Sequence, residues 1–574
     1  MNILKKFNKK LIDLVVSNQK TLEINETNDF KGVLVEVPPE EINYHLSCNI
    51  CLILAKINNK NPINLANKVK ELIIKNFNEI SKVEVAGPGF LNLNLSKKDI
   101  VNFFEHIFES NSKYGEGNSK KKYNIEFVSA NPTGPMHVGH CRGAIFGDVL
   151  ANLLKFNGNK VTKEYYINDY GNQIKNFTKS IYLRIRELKF KEKFPQSQDL
   201  YPGEYIIDIA KKIIEENKTL NYEDLDTIYP TLSNESLKYS MKMIKEDLKN
   251  LGIKHDNFIS ESAIVKENLV EKTVNKLKNE SLVIEGYLEP PKGEDKRNWK
   301  RIKRLIFKST IFGDDSDRAL QKNDGTWTYF ANDVAYHSNK IERNFDGLIN
   351  ILGADHTGYI KRISAAVNAL SKNKVTLNCK VCQLVKLYKN GKPFKMSKRA
   401  GDFVATSDLL KEVNKDSIRF MMLNRSNDVE LDFHFDKVLE KNKDNPVFYV
   451  QYCQARINSL FRTLNLNIDH KIKIDHEIFK LNDYENKILK KILNWPKVIE
   501  SSCIKYEPHR IPFYLYDLST LFHSYWSKGN EDKNYKFIID GKLKNINSLV
   551  ILKVVSIVIK NGMNILGVSL PNKM

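Results

Sequence analysis

The chain has 574 residues, 41% hydrophobic and 28% charged, a balance that excludes a disordered or membrane-embedded protein and implies several domains rather than one core. Lys and Arg number 90 against 69 Asp and Glu. The resulting net charge of +21 suits a polyanion such as nucleic acid, although in a chain rich in Lys, Asn and Ile most lysines are solvated surface.

Residues 1 to about 112 read as a small α+β domain. The basic start MNILKKFNKKLIDLVVSN has a short apolar patch broken by Asp13, which predicts an amphipathic first helix rather than a signal peptide. GVLVEV (32–37) is strand-like, a helix is expected from Pro38 onward, and VEVAGPGFLNLNL (83–95) alternates as strands do. Seven cysteines in no dense framework suit a reducing compartment. Cys48/Cys51 and Cys379/Cys382 have zinc-ligand spacing, but the first pair lies in an apolar run (46–55) read as helix and neither pair sits in a tight knuckle. No zinc is expected. The polar run NSKYGEGNSKKK (111–122) reads as a linker.

Residues 113–444 open with an apolar strand (125–128), a Gly/Pro turn, a helix from near His137 and a second strand, EYYIN (164–168). That order is the start of a doubly wound, Rossmann-like parallel sheet. A charged helical stretch, about 175–290, is taken as inserted, and strands return at LINILG (348–353) and QLVKLY (383–388). Residues 445–574 read as a helical bundle with no strand pair, in which the apolar run 549–568 holds Lys553 and Lys560 and is too polar to span a membrane. The fold class expected is multidomain α/β, and the compartment the cytosol.

Two elements carry the chemistry. In the first, a strand runs into a turn with Pro132, Gly134 and Pro135, and a helix opens at HVGH. A helix N-terminus offers free N–H groups and a positive dipole end to phosphate. His137 and His140 share one face of its first turn, and Gly139 leaves room for a flat base. The second is FKMSKRAGD (394–402), where Lys395 and Lys398 flank Met396 and Ser397 in a loop able to reach a triphosphate. Either alone arises by chance in core or surface. The pair, far apart in one predicted sheet domain, is specific.

HVGH with KMSK resembles the signature pair of class I aminoacyl-tRNA synthetases, and the flanking sequence resembles the arginine-specific family. The resemblance runs through EFVSANPTGPMHVGH, EYYINDYGNQI (164–174), FGDDSDRAL (312–320), YFANDVAYH (329–337), LGADHTGY (352–359) and NPVFYVQYCQARI (445–457), and so covers nearly the whole chain. It implies ATP, L-arginine and tRNA(Arg) as substrates, Mg²⁺ with the nucleotide, arginyl-adenylate as intermediate, attack by the terminal 2′-OH of the tRNA, and activation that itself requires tRNA. His137, Gly139, His140, Lys395, Met396, Ser397 and Lys398 would hold ATP, with His137, His140, Lys395 and Lys398 catalytic. It places Asp333 and Tyr329 beside the guanidinium, which needs carboxylate and hydroxyl acceptors. Glu126, Ser129, Asn131 and His356 would surround the amino and carboxylate ends.

For tRNA, the resemblance points to Phe90 and Asn92 at the elbow and Tyr449, Tyr452, Tyr525 and Met574 at the anticodon, tyrosine rings being stacking platforms for bases. Tyr449 and Tyr452, three apart on a helix, fit a bundle core equally well. Some members of the family carry Lys where this chain has Gly134 and lack the second loop lysine. With Gly134 and Lys398 the chain resembles the complete-loop subgroup, departing from the pattern at Cys141 and over 42–52. A monomer that does not bind membranes is expected. Three rival readings are weaker. A small-molecule nucleotidyltransferase is shorter and lacks the helical domain, a synthetase for another amino acid has no need of Asp333, and a catalytically dead tRNA-binding relative has no need of both histidines and both lysines.

Overall fold

The computed structural model describes residues 2–25, 29–288, 302–394, 404–470, 472–476 and 479–574. They form two compact units, Ser119–Leu439 and Met1–Asn118 with Glu440–Met574.

The first unit is built on a five-stranded, wholly parallel sheet in the order Thr376–Cys382, Gly347–Gly353, Lys122–Glu126, Lys160–Ile167, Asn257–Ser260. Earlier strands step outward from Lys122–Glu126 on one side and later ones on the other, so the sheet is doubly wound and reverses direction between Lys122–Glu126 and Gly347–Gly353. Ligands of such sheets bind beyond the strand carboxyl ends at that reversal. The Val138–Phe156 helix is apolar nearly all round and buried, with Ala144, Ile145, Val149 and Leu153 each at 0% exposure. Asp148 on it is ion-paired to Lys163 at 2.9 Å and Arg419 at 2.6 Å, tying helix, strand and the Lys415–Met422 helix together.

Within the stretch read as inserted, the helices Asn172–Phe190, Glu204–Glu216 and Leu225–Asn250 pack around their own core of Phe177, Ile181, Ile206, Ile213 and Leu232. The strand Asn257–Ser260 within the same stretch belongs to the main sheet. QLVKLY does not join that sheet. Its Val385–Lys389 strand pairs with Lys392–Pro393 and Leu431–His434 in a small separate one.

In the second unit, the Ile3–Ser17 helix is capped by Asn2 and buries Ile3, Phe7, Leu11 and Leu14, the expected three-to-four spacing. An antiparallel sheet in the order Val35–Glu36, Leu46–Cys48, Phe90–Leu95, Ile80–Ala86 takes up the strand-like run 83–95 as part of a hairpin of Ile80–Ala86 with Phe90–Leu95. The helix expected from Pro38 is a turn region, and the apolar run 46–55 divides into the strand Leu46–Cys48 and the Ile50–Asn58 helix. A continuous apolar run suits a buried strand as well as a buried helix, and pairing of Leu46–Cys48 with Phe90–Leu95 decides between them.

Helices Pro446–Thr463, Asp483–Leu493, Trp495–Lys505, Arg510–Glu531 and Ile546–Leu566 make the expected bundle, with a two-residue hairpin of Ile538–Ile539 and Lys542–Leu543 added. Ile546–Leu566, despite its lysines, is long and apolar enough to cross a membrane, against the expectation of excess polarity. Here 89% of its apolar window is buried, as in a core helix.

Candidate active site

A cavity of about 450 Å³, of ligand size, opens at the reversal point of the parallel sheet and gathers Glu126, Ser129, Asn131, His137, Gly139, His140, Asp333 and His356. The expected residues outside it are Tyr329 and the loop. Tyr329 stands at the start of the Tyr329–Glu342 helix, 57% exposed, and does not line the cavity. Lys395, Met396, Ser397 and Lys398 lie outside the described residues.

The signature turn is shaped by backbone contortion. Val128 and Ser129 follow the strand with φ of 72° and 39°, left-handed values unfavourable to a β-branched valine. Ser129 Oγ locks this bend by donating to Glu126 Oε1 at 3.1 Å and accepting the Tyr166 N–H at 3.1 Å. His137 then caps the Val138–Phe156 helix. Its Nδ1 accepts the Gly139 N–H at 3.1 Å, while His140 Nδ1 accepts the His137 N–H at 3.3 Å, and the two rings stack with centroids 3.8 Å apart. Burial lowers both histidines, His140 to about 3, with His137 adding to its depression and Asp355 opposing it. Both rings are therefore neutral near pH 7. With Nδ1 accepting, the proton sits on Nε2. The result is a pair of neutral N–H donors at a positive helix end.

Asp333 supplies the opposite character. Burial lifts its carboxyl to about 7, with Glu126 adding to the rise and the hydroxyl of Tyr359, hydrogen-bonded to Oδ2, working against it. A cation entering here would draw the proton off. Beside it lies Glu261, 2% exposed, held by Asn332 Nδ2 at 2.8 Å and likewise lifted by burial to about 7. Glu126 is paired to Lys340 Nζ at 2.5 Å, an ammonium at 0% side-chain exposure that also reaches Asn350 Oδ1 at 3.3 Å and lies 4.4 Å from the Tyr336 ring centroid.

Glu261, Tyr359 and Lys340 escaped the sequence reading. Lys340 had a signal, because it falls seven residues after Asp333 on the same helix and so on the same face. Glu261 follows a strand end, where carboxylates are usually solvated caps.

Asn131 accepts from Asn168 Nδ2 at 3.1 Å, and His356 is exposed in the Ala354–Tyr359 turn next to Asp355, 3.4 Å away. Among the described residues no group of three His, Cys, Asp or Glu side chains could hold a metal ion. Burial pushes the Cys379 and Cys382 thiols up to about 12. In the other unit Phe90 (38%) and Met574 (52%) are exposed, whereas Asn92 (4%) and Tyr525 (1%) are buried. Tyr525 hydrogen-bonds to Glu485 Oε1 and Asn482, each at 2.9 Å. Tyr449 and Tyr452 are half-buried, both against His523, with Arg456 4.3 Å over the Tyr452 ring.

Known proteins match this arrangement along its whole length. The models of the arginyl tRNA synthetase N-terminal domain, the class I (R) tRNA synthetase catalytic domain and the DALR anticodon binding domain match residues 1–95, 104–461 and 450–574. The arginine–tRNA ligase of Pelagibacter ubique is 54% identical over 577 residues, covering 100% of both chains. The chain belongs to the arginyl-tRNA synthetase family. It is accordingly an arginine–tRNA ligase of class I, for which ATP is a substrate. The Bartonella tribocorum arginine–tRNA ligase is 42% identical, again with full coverage of both chains. A putative arginyl-tRNA synthetase structure from Campylobacter jejuni matches with a TM-score of 0.73 at 31% identity, covering 84% of this synthetase and 100% of that chain. The Thermus thermophilus arginyl-tRNA synthetase, at 18% identity and a TM-score of 0.73, covers 99% and 100% and shares the fold.

Proposed function

We propose that the cavity at the sheet reversal is where this synthetase joins arginine to AMP before transfer to tRNA(Arg), and that one observation carries the reading. A single space has two neutral histidine donors at a helix N-terminus on one wall and a buried carboxyl group on another. Attack of the arginine carboxylate on the α-phosphorus of ATP builds charge on phosphate oxygens and on departing diphosphate, so catalysis is positioning and electrostatics. His137 and His140 donate Nε2–H to those oxygens. Lys395 and Lys398 hold the diphosphate. Asp333 pairs with the guanidinium, Tyr329 lies one turn before it on the same helix as the second candidate for that group, and Glu126, Ser129, Asn131 and His356 meet the amino and carboxylate ends. Exposed Asp355 beside His140 would be the hard oxygen donor for a nucleotide-bound Mg²⁺, which would offset phosphate charge. The tRNA 2′-OH then attacks the adenylate carbonyl, forming the ester as the carboxyl–phosphate bond breaks and AMP leaves.

Phe90, Tyr449, Tyr452 and Met574 offer surface to the tRNA, whereas Asn92 and Tyr525 would act from within the unit they support. A cytosolic monomer acting without a membrane fits this role. Asp333→Asn should raise the KM for arginine about tenfold or more, as loss of one charge-assisted contact implies, and leave that for ATP nearly unchanged. Equal rises in both would contradict the assignment of Asp333.

A further inference from the structure

The signature turn is held from outside by the inserted helices. Tyr205, on the Glu204–Glu216 helix, donates its hydroxyl to Thr133 O at 3.0 Å, and its ring stands 3.0 Å from where a Cβ on Gly134 would be. Asp247, on the Leu225–Asn250 helix, accepts the Met136 N–H on Oδ2 at 3.0 Å. The Met136 carbonyl accepts the Thr406 N–H at 2.9 Å, so both peptide groups flanking Met136 are fixed just before His137.

Asp247 is 6% exposed, and no ion pair among the described residues involves it. Burying a carboxyl group without a cation is unfavourable unless its hydrogen bonds repay the lost water. Here the group answered is a main-chain N–H one residue from the first signature histidine. Tyr205 answers a carbonyl three residues earlier. The two side chains thus grip opposite ends of the turn.

We propose that Asp247 and Tyr205 are positioning residues for adenylyl transfer, the inserted helices serving as the brace that keeps His137 and His140 aimed into the cavity. The inference rests on the reading that these histidines act on the nucleotide. It gives the insertion a catalytic purpose without any contact with substrate. Sub-ångström misplacement of preorganised donors slows chemistry more than it weakens ground-state binding.

The test uses the full-length synthetase with arginine, ATP and tRNA(Arg), and rates are expressed per active site counted by the adenylate burst. Asp247→Leu should lower kcat about tenfold, equivalent to about 1.4 kcal/mol, with the KM for arginine within about twofold. Asp247→Asn, which keeps an acceptor for Met136, should recover most of that loss, and Tyr205→Phe should cost about threefold in kcat. A wild-type rate per site in Asp247→Leu, or equal losses in the Asn and Leu variants, would overturn the brace. If Asp247→Leu does not fold, Tyr205→Phe decides, an unchanged kcat counting against it. His137→Asn and His140→Asn serve as controls. If they too leave kcat intact, the reading of the histidines fails, whereas their loss of kcat beside an unaffected Asp247→Leu sinks the brace alone.

Discussion

Burial lifts the Asp333 and Glu261 carboxyl groups to about 7, well above the usual carboxylate range, and both effects have a sign that can be measured. Between that ordinary range and about 7 the folded chain keeps protons that the unfolded chain has released. These groups therefore lower stability as pH rises through the window. A guanidinium beside Asp333 favours the ionised form. The KM for arginine should thus fall from pH 6 to pH 8, and the slope should flatten in Asp333→Asn, with Glu261 leaving a residue of it. A KM independent of pH in the wild type would show that Asp333 does not meet the cation. Lys340 offers a second test, because its ammonium is at 0% side-chain exposure against Glu126 at 13%. Lys340→Met leaves a carboxylate buried without its partner and should cost roughly 3 kcal/mol in denaturant unfolding, much of it regained by adding Glu126→Gln. Unfolding free energy unchanged in the single variant would mean that the pair contributes nothing.

At the level of elements, the Val138–Phe156 helix reaches the sheet through Gly147, where a Cβ would stand 2.4 Å from Cγ of Phe127 and 2.6 Å from its Cβ. Those atoms are the root of the side chain and cannot swing aside. Gly147→Ala should destabilise the unit by about 1–3 kcal/mol through overpacking, and a thermal midpoint at or above wild type would contradict this packing. The same helix shows what a sequence makes legible. Its start and paired histidines are near neighbours in sequence governed by local geometry, and they appear in the structure where expected, with His137 serving as the cap. Behind the cavity's carboxyl groups, Lys340 pairs with Glu126, Tyr359 bonds to Asp333 and the Glu261 carboxyl lies near Asp333, meetings made only once the sheet has formed. No local periodicity carries such a meeting. Tyr329 illustrates the limit from the other side, since a motif names the residue while its 57% exposure at a helix start depends on packing. The run 46–55 failed for a related reason, strand and helix being equally compatible with continuous apolar residues until a partner strand is known.

Across the whole molecule, the candidate cavity opens where the strand order of the parallel sheet reverses, inserted helices meet the turn at that point, and a second unit of antiparallel sheet and helical bundle carries the tRNA candidates. The net charge of +21 suits the polyanionic substrate but says nothing of its identity. On the proposed reading, amino-acid identity would rest on the buried carboxyl groups, which would be left as unpaired acceptors by a side chain without a guanidinium, and discrimination of that kind would need no editing site. Exchange of labelled diphosphate into ATP with each amino acid in turn, with and without tRNA, tests this most directly. Exchange with arginine alone, dependent on tRNA, is the predicted result, and exchange with another amino acid, or none under any condition, would contradict the account.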